Sequence, residues 1–115
     1  MIPKPRPKSG LLGYNKYVPS NIVEEVKNNE AALIDVRRDD EWAEGRAKGA
    51  LHFDFAKIEK GELPPVPKNK KIYLYCRSGG RAGRAKNILQ KAGYENVENL
   101  GGLKDWQALE GEVEK

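Results

Sequence analysis

The chain is poor in sulfur and in imidazole: among 115 residues there is one cysteine, Cys76, one methionine, Met1, and one histidine, His52. A single cysteine excludes an internal disulfide and any metal site built on several thiolates. A single histidine cannot assemble a zinc centre, so no metal is expected, and nothing in the sequence calls for a cofactor. Long apolar runs are missing too. No segment approaches the roughly 20 apolar residues that span a bilayer. Leu11-Leu12-Gly13, behind the basic N-terminus, is far too short for a signal-peptide apolar region. The expectation is a cytoplasmic protein with no membrane partner. Charge of one sign is also scarce, since the formal net charge is only +4. The basic residues are scattered among acids, with no recognition helix, zinc-ligand spacing or aromatic stacking pattern, so nucleic acid is not an expected partner.

What is present fits one compact domain, because 115 residues are too few for two ordinary ones. Residues 1–15 form a tail in which Pro3, Pro5 and Pro7 alternate with Lys4, Arg6 and Lys8. Proline at every second position blocks helix and ladder alike, so this tail is expected to be extended and flexible. The folded domain is expected over 16–115, opening with a short strand at Lys16–Val18. Ser20 or Asn21 then caps a helix that runs to about Lys27.

Ala31-Ala32-Leu33-Ile34-Asp35-Val36 and Ile72-Tyr73-Leu74-Tyr75 are nearly continuous apolar runs, the pattern of strands buried on both faces of a parallel sheet. Between them Asp39 is expected to cap a short helix ended by Gly45. A strand is expected around Ala50–Phe53 and a polar surface loop over Lys57–Lys70. After the second run, Ala82, Ala85, Ile88, Leu89 and Ala92 recur at helical spacing until Gly93. Val97–Leu100 reads as a last strand and Leu103–Leu109 as a closing helix. This alternation predicts an α/β domain with a mainly parallel sheet.

The chemistry concentrates in Cys76-Arg77-Ser78-Gly79-Gly80-Arg81. A lone cysteine is either a small buried hydrophobe or a reactive group, and its neighbours decide. Here it ends a buried strand just before a helix N-terminus, where ligands of open α/β sheets bind. Backbone N–H groups and the positive helix end face that point. Gly79 and Gly80 let the chain curl so that successive N–H groups form an anion nest. Arg77 and Arg81 add full positive charges that can steer a dianion. Each feature favours thiolate over thiol, as nucleophilic catalysis requires. A preformed thiolate needs no histidine base.

The six residues Cys76–Arg81 resemble the active-site loop of rhodaneses. Three further segments are similar to the family's blocks, in order: Leu33-Ile34-Asp35-Val36-Arg37 with Glu41-Trp42 and Gly45; Gly49-Ala50; and Leu100-Gly101-Gly102-Leu103 with Trp106. The resemblance covers about Tyr17 to Glu112. It implies a rhodanese-like α/β fold with a five-stranded, mainly parallel sheet and helices on both faces. It also implies sulfur transfer through a persulfide on Cys76, with Arg77, Ser78, Gly79, Gly80 and Arg81 cradling the substrate. The implied partners are a small anionic donor such as thiosulfate, a cyanide or thiol acceptor, and a protein that supplies a persulfide. Gly45-Arg46-Ala47 departs from the family's usual Gly-His-Ile, which bears on local packing or substrate preference rather than on the nucleophile.

Asp35 and Arg37 are expected to support the site as an ion pair. Arg46, Lys86 and Lys91 are read as solvated, His52 as a satisfied strand residue, and Trp42 and Trp106 as core aromatics. Three rivals remain. A cysteine phosphatase or arsenate reductase needs an arginine six positions after its cysteine, where this chain has Ala82. A non-catalytic regulatory module would not require the cysteine that this chain retains. A sulfur-relay protein would use the same loop with a different donor and acceptor.

Overall fold

The computed structural model describes residues 21–115. The proline-basic tail, the strand expected at Lys16–Val18 and the cap candidate Ser20 lie outside the described residues. The first helix, α1, spans Asn21–Lys27 and leads into strand β1, Ala31–Asp35. A short helix α2, Asp39–Glu44, and a two-residue strand β2, Arg46–Ala47, precede strand β3, Leu51–His52. Helix α3, Phe55–Glu59, is followed by strand β4, Lys71–Cys76, and helix α4, Gly80–Lys91. Strand β5, Val97–Gly102, helix α5, Leu103–Ala108, and strand β6, Val113–Glu114, complete the described chain.

Among the described residues the main sheet has four strands in the order β3-β1-β4-β5, paired in parallel throughout, and β2 pairs β6 antiparallel as a separate ribbon. The mainly parallel α/β sheet is as expected, with four of its strands in the described residues. The chain leaves β1 for the edge strand β3 and then crosses to β4 on the other side of β1. That reversal opens a crevice at the carboxyl ends of β1 and β4, the place where such sheets bind ligands. Cys76 and Asp35 close those two strands.

Strand periodicity sorts the core into two layers. Ile34, Ile72, Leu74 and Cys76 pack with Phe55 and Ile58 of α3 and Ala82, Ala85 and Leu89 of α4. Leu33, Tyr73 and Tyr75 point the other way, onto Trp106 of α5 and Val23 and Val26 of α1. Full burial of one such aliphatic side chain stabilises the fold by about 1.5–3 kcal/mol. Cys76 and its chain neighbour Tyr75 therefore lie on opposite faces.

Four expectations are corrected. The start of the Lys57–Lys70 loop belongs to α3, which buries Phe55 and Ile58 and whose N-cap Asp54 accepts the Ala56 N–H at 2.9 Å. Asp39 is not the cap of α2: Arg38 holds that position, and the Glu41 carboxylate accepts the Arg38 N–H at 3.0 Å. Trp42 does not join the core. It is half-buried, stacked on His52 at 4.8 Å, with the Arg46 guanidinium 4.9 Å over its ring. Arg46 is thus engaged rather than solvated, and it also donates to the Trp42 carbonyl.

Candidate active site

Cys76 is the last residue of β4 and is 1 % exposed, at the floor of a loop that turns directly into α4. Gly79 caps that helix with φ of 103°, a left-handed conformation in which a side chain would be strained. The resulting curl brings the Gly79 N–H to 2.9 Å from Cys76 Sγ. Burial alone would push the thiol up. The backbone N–H groups of Ala82, Ser78, Gly79 and Arg81 outweigh burial and hold Cys76 below its ordinary value. Backbone donors, rather than arginine charge, lead the effect. The donors are those of Ser78 and Gly79 in the loop and of Arg81 and Ala82 in the first turn of α4.

The loop is held from below by β5. Gly102 pairs with Cys76, and a Cβ there would lie 2.2 Å from the Arg77 carbonyl oxygen, so glycine is what lets the loop rest on the strand. Asn99 donates its amide to the Gly79 carbonyl at 3.0 Å and accepts the Gly101 N–H at 2.9 Å.

The two loop arginines are placed differently. Arg77 is exposed. Arg81 donates from both terminal nitrogens to Glu41 of α2, at 2.8 and 3.1 Å. This pair, first, and the Arg38 N–H hold the Glu41 carboxyl at a pKa of about 2, against its partial burial.

Asp35 and Arg37 form the expected ion pair, at 2.7 Å, on the face of the sheet away from Cys76 Sγ. The Tyr75 hydroxyl donates to Asp35 at 2.6 Å and accepts the Ala47 N–H at 3.0 Å, while Arg37 also donates to the Gly45 carbonyl. Burial, then the bond to Asp35, raises the Tyr75 pKa. This network ties β1, β4 and the β2 segment together behind the site without touching the sulfur. His52 bonds the Arg37 carbonyl through Nε2 at 2.8 Å, as a satisfied residue. Lys86 lies 3.5 Å from Glu98 rather than free in solvent.

Sequence reasoning assigned no role to Glu41, Tyr75 or Asn99. A tyrosine inside a buried strand signals a hydroxyl in need of a partner, and an asparagine within a strand signals a side-chain task, because it is a poor strand former. Glu41 carried no such signal.

A strand-end cysteine in a nest of N–H groups, with β5 and α5 closing behind it, can be set against known proteins. The family model for the rhodanese-like domain matches residues 19–109. The chain belongs to the rhodanese-like family. It is 38% identical over 73 residues to the thiosulfate sulfurtransferase PspE of Escherichia coli (strain K12), covering 63% of this chain and 70% of that protein. It is 34% identical over 80 residues to a putative sulfurtransferase, YtwF, of Bacillus subtilis (strain 168), covering 70% of this chain and 77% of that one. The crystal structure of a Rhodanese_3-like domain from Anabaena sp. superposes with a TM-score of 0.67 at 29% identity, over 74% of this chain and 99% of that domain. This rhodanese-like domain thus has the α/β fold and the sulfurtransferase kinship implied by its motifs. Where the family usually carries Gly-His-Ile, Arg46 and Ala47 here form the ribbon strand β2.

Proposed function

We propose that the protein moves sulfane sulfur from thiosulfate, or another sulfane donor, to cyanide or a thiol through a persulfide on Cys76. The observation that carries this reading is the recessed Sγ, facing backbone N–H groups that favour its thiolate. The thiolate attacks the outer sulfur of thiosulfate. The new S–S bond forms as the donor's own S–S bond breaks, and sulfite leaves with the electron pair. Cyanide then attacks the outer sulfur of the persulfide, thiocyanate leaves, and the Cys76 thiolate returns. The persulfide carries its charge on the outer sulfur, one S–S bond beyond Sγ, so the N–H groups of Ser78, Gly79 and Arg81 act on the thiolate that attacks the donor and that returns when cyanide takes the outer sulfur. Arg77, exposed at the rim, meets the sulfonate oxygens. A persulfide on a partner protein would present the same outer sulfur and suit the same cradle. The domain that does this is taken as 16–115, with 1–15 as an appended tail.

A phosphate monoester would have to bring a whole tetrahedral group to a cysteine that is 1 % exposed, and Ala82, fully buried, stands where an arginine fork would be needed. Thiosulfate–cyanide transfer and aryl phosphate hydrolysis, run side by side on one preparation, test the reading. Sulfur transfer with negligible phosphate release is expected. Phosphate release that depends on Cys76, without sulfur transfer, would overturn it.

A further inference from the structure

Arg81 is one of two cations in the loop, yet both of its terminal nitrogens are taken by Glu41. The two side chains are 22% and 12% exposed, so the pair is well shielded from solvent. Glu41 is itself fixed, since its Oε1 also accepts the Arg38 N–H at the start of α2. The other end of the linkage lies beside the sulfur: Arg81 is in the first turn of α4, whose N-cap Gly79 donates to Cys76 Sγ at 2.9 Å, and the Arg81 N–H is among those that lower the Cys76 pKa. The charges that act on Arg81 are those of Glu41, Cys76 and Asp54, at the start of α3, and Arg38 opposes it from the start of α2. A contact 40 residues apart in sequence therefore links α2 to the thiolate cradle.

Resting on the sulfurtransferase reading, we propose that Glu41 is a positioning residue for Cys76: it holds the Arg81 guanidinium away from the donor and so fixes the Arg81 backbone N–H toward Sγ. Arg81 then acts through the loop's shape, and donor binding falls to the exposed Arg77. An arginine that met the donor directly would govern its affinity. An arginine held by Glu41 governs the sulfur's reactivity, and the two residues behave as one unit.

Full-length wild type, Glu41→Gln, Arg81→Ala and the double variant are compared in two ways: alkylation rate of Cys76 by iodoacetamide against pH, and thiosulfate–cyanide kinetics. Both single variants should move the alkylation midpoint upward, and the double variant should match the single ones rather than add them. Turnover should fall roughly three- to tenfold in kcat, with the thiosulfate KM within about twofold of wild type. Unchanged midpoints, additive shifts, or an Arg81→Ala effect confined to KM would each overturn the proposal. Should either variant prove unfolded, Arg81→Lys, which keeps the charge but cannot grip Glu41 through two nitrogens, takes its place. Its midpoint should also rise, and an unchanged one would count against the proposal. If the wild type transfers no sulfur, the sulfurtransferase reading fails alone, because alkylation still reports whether Glu41 and Arg81 tune Cys76.

Discussion

Tyr75 and Cys76 are consecutive residues at the end of β4, and their side chains leave the sheet on opposite faces into differently built surroundings. Behind the sheet, the Tyr75 hydroxyl, the Asp35 carboxylate and the Arg37 guanidinium satisfy one another, and Asp35 is fully buried. In front, Cys76 Sγ is met by backbone N–H groups, with loop residues Arg77 and Ser78 open to solvent. Mutually satisfied side chains give rigidity and leave nothing with which to react. Backbone donors aimed at one sulfur stabilise its charge without pairing it with another side chain. One strand end thus carries an inert brace and a reactive centre.

The difference between the faces can be broken most sharply at the sulfur. Cys76→Ser should abolish thiosulfate–cyanide turnover, while thermal unfolding stays close to wild type, because no contact of the brace is altered. The converse experiment cuts the brace. Arg37→Ala leaves a fully buried carboxylate without its cation and should lower stability by roughly 3–5 kcal/mol in urea unfolding, with turnover per folded molecule largely kept. Tyr75→Phe removes only the hydroxyl between Asp35 and the Ala47 N–H, and should cost about 1–3 kcal/mol by the same measurement. The smallest effect is expected at the rim. Arg77 is exposed, so solvent screening limits its contact with a dianion to about 0.2–1 kcal/mol, and Arg77→Ala should raise the thiosulfate KM by roughly 1.5- to 5-fold.

The pH profile sharpens the comparison further. The Cys76 pKa is depressed, so its thiolate persists to lower pH than that of a free cysteine, and alkylation should reach half its maximal rate below about pH 8.5. Reactivity is lost as pH falls through the folded value. Glu41, with a pKa of about 2, behaves likewise in sign: its contribution is complete above the ordinary carboxylate range and disappears only as pH falls through about 2. The cradle should therefore keep its shape across the whole range in which Cys76 titrates.

The two strands that carry this contrast were legible because parallel strands buried on both faces need long apolar runs, and β1 and β4 have them. Cys76 was legible because glycines and arginines crowd into the residues behind it. Helix α3 was not, since five residues with Phe55 and Ile58 as the buried pair give too little periodicity against a proline-rich background. Strands β2 and β6 are two residues each and form only by pairing with one another across the chain. Trp42 was misplaced for a related reason: an aromatic residue can bury its face on His52 and Arg46 at the surface as readily as in a core. The grip of Glu41 on Arg81 is a tertiary contact with no local signature.

Intact mass after incubation with thiosulfate tests the central claim most directly, because this chain has one cysteine and so one place for the sulfur. Wild type should gain about 32 Da and return to its starting mass when cyanide is added, while Cys76→Ser should gain nothing. A wild-type protein that takes up no sulfur, or a Cys76→Ser protein that does, would contradict the account.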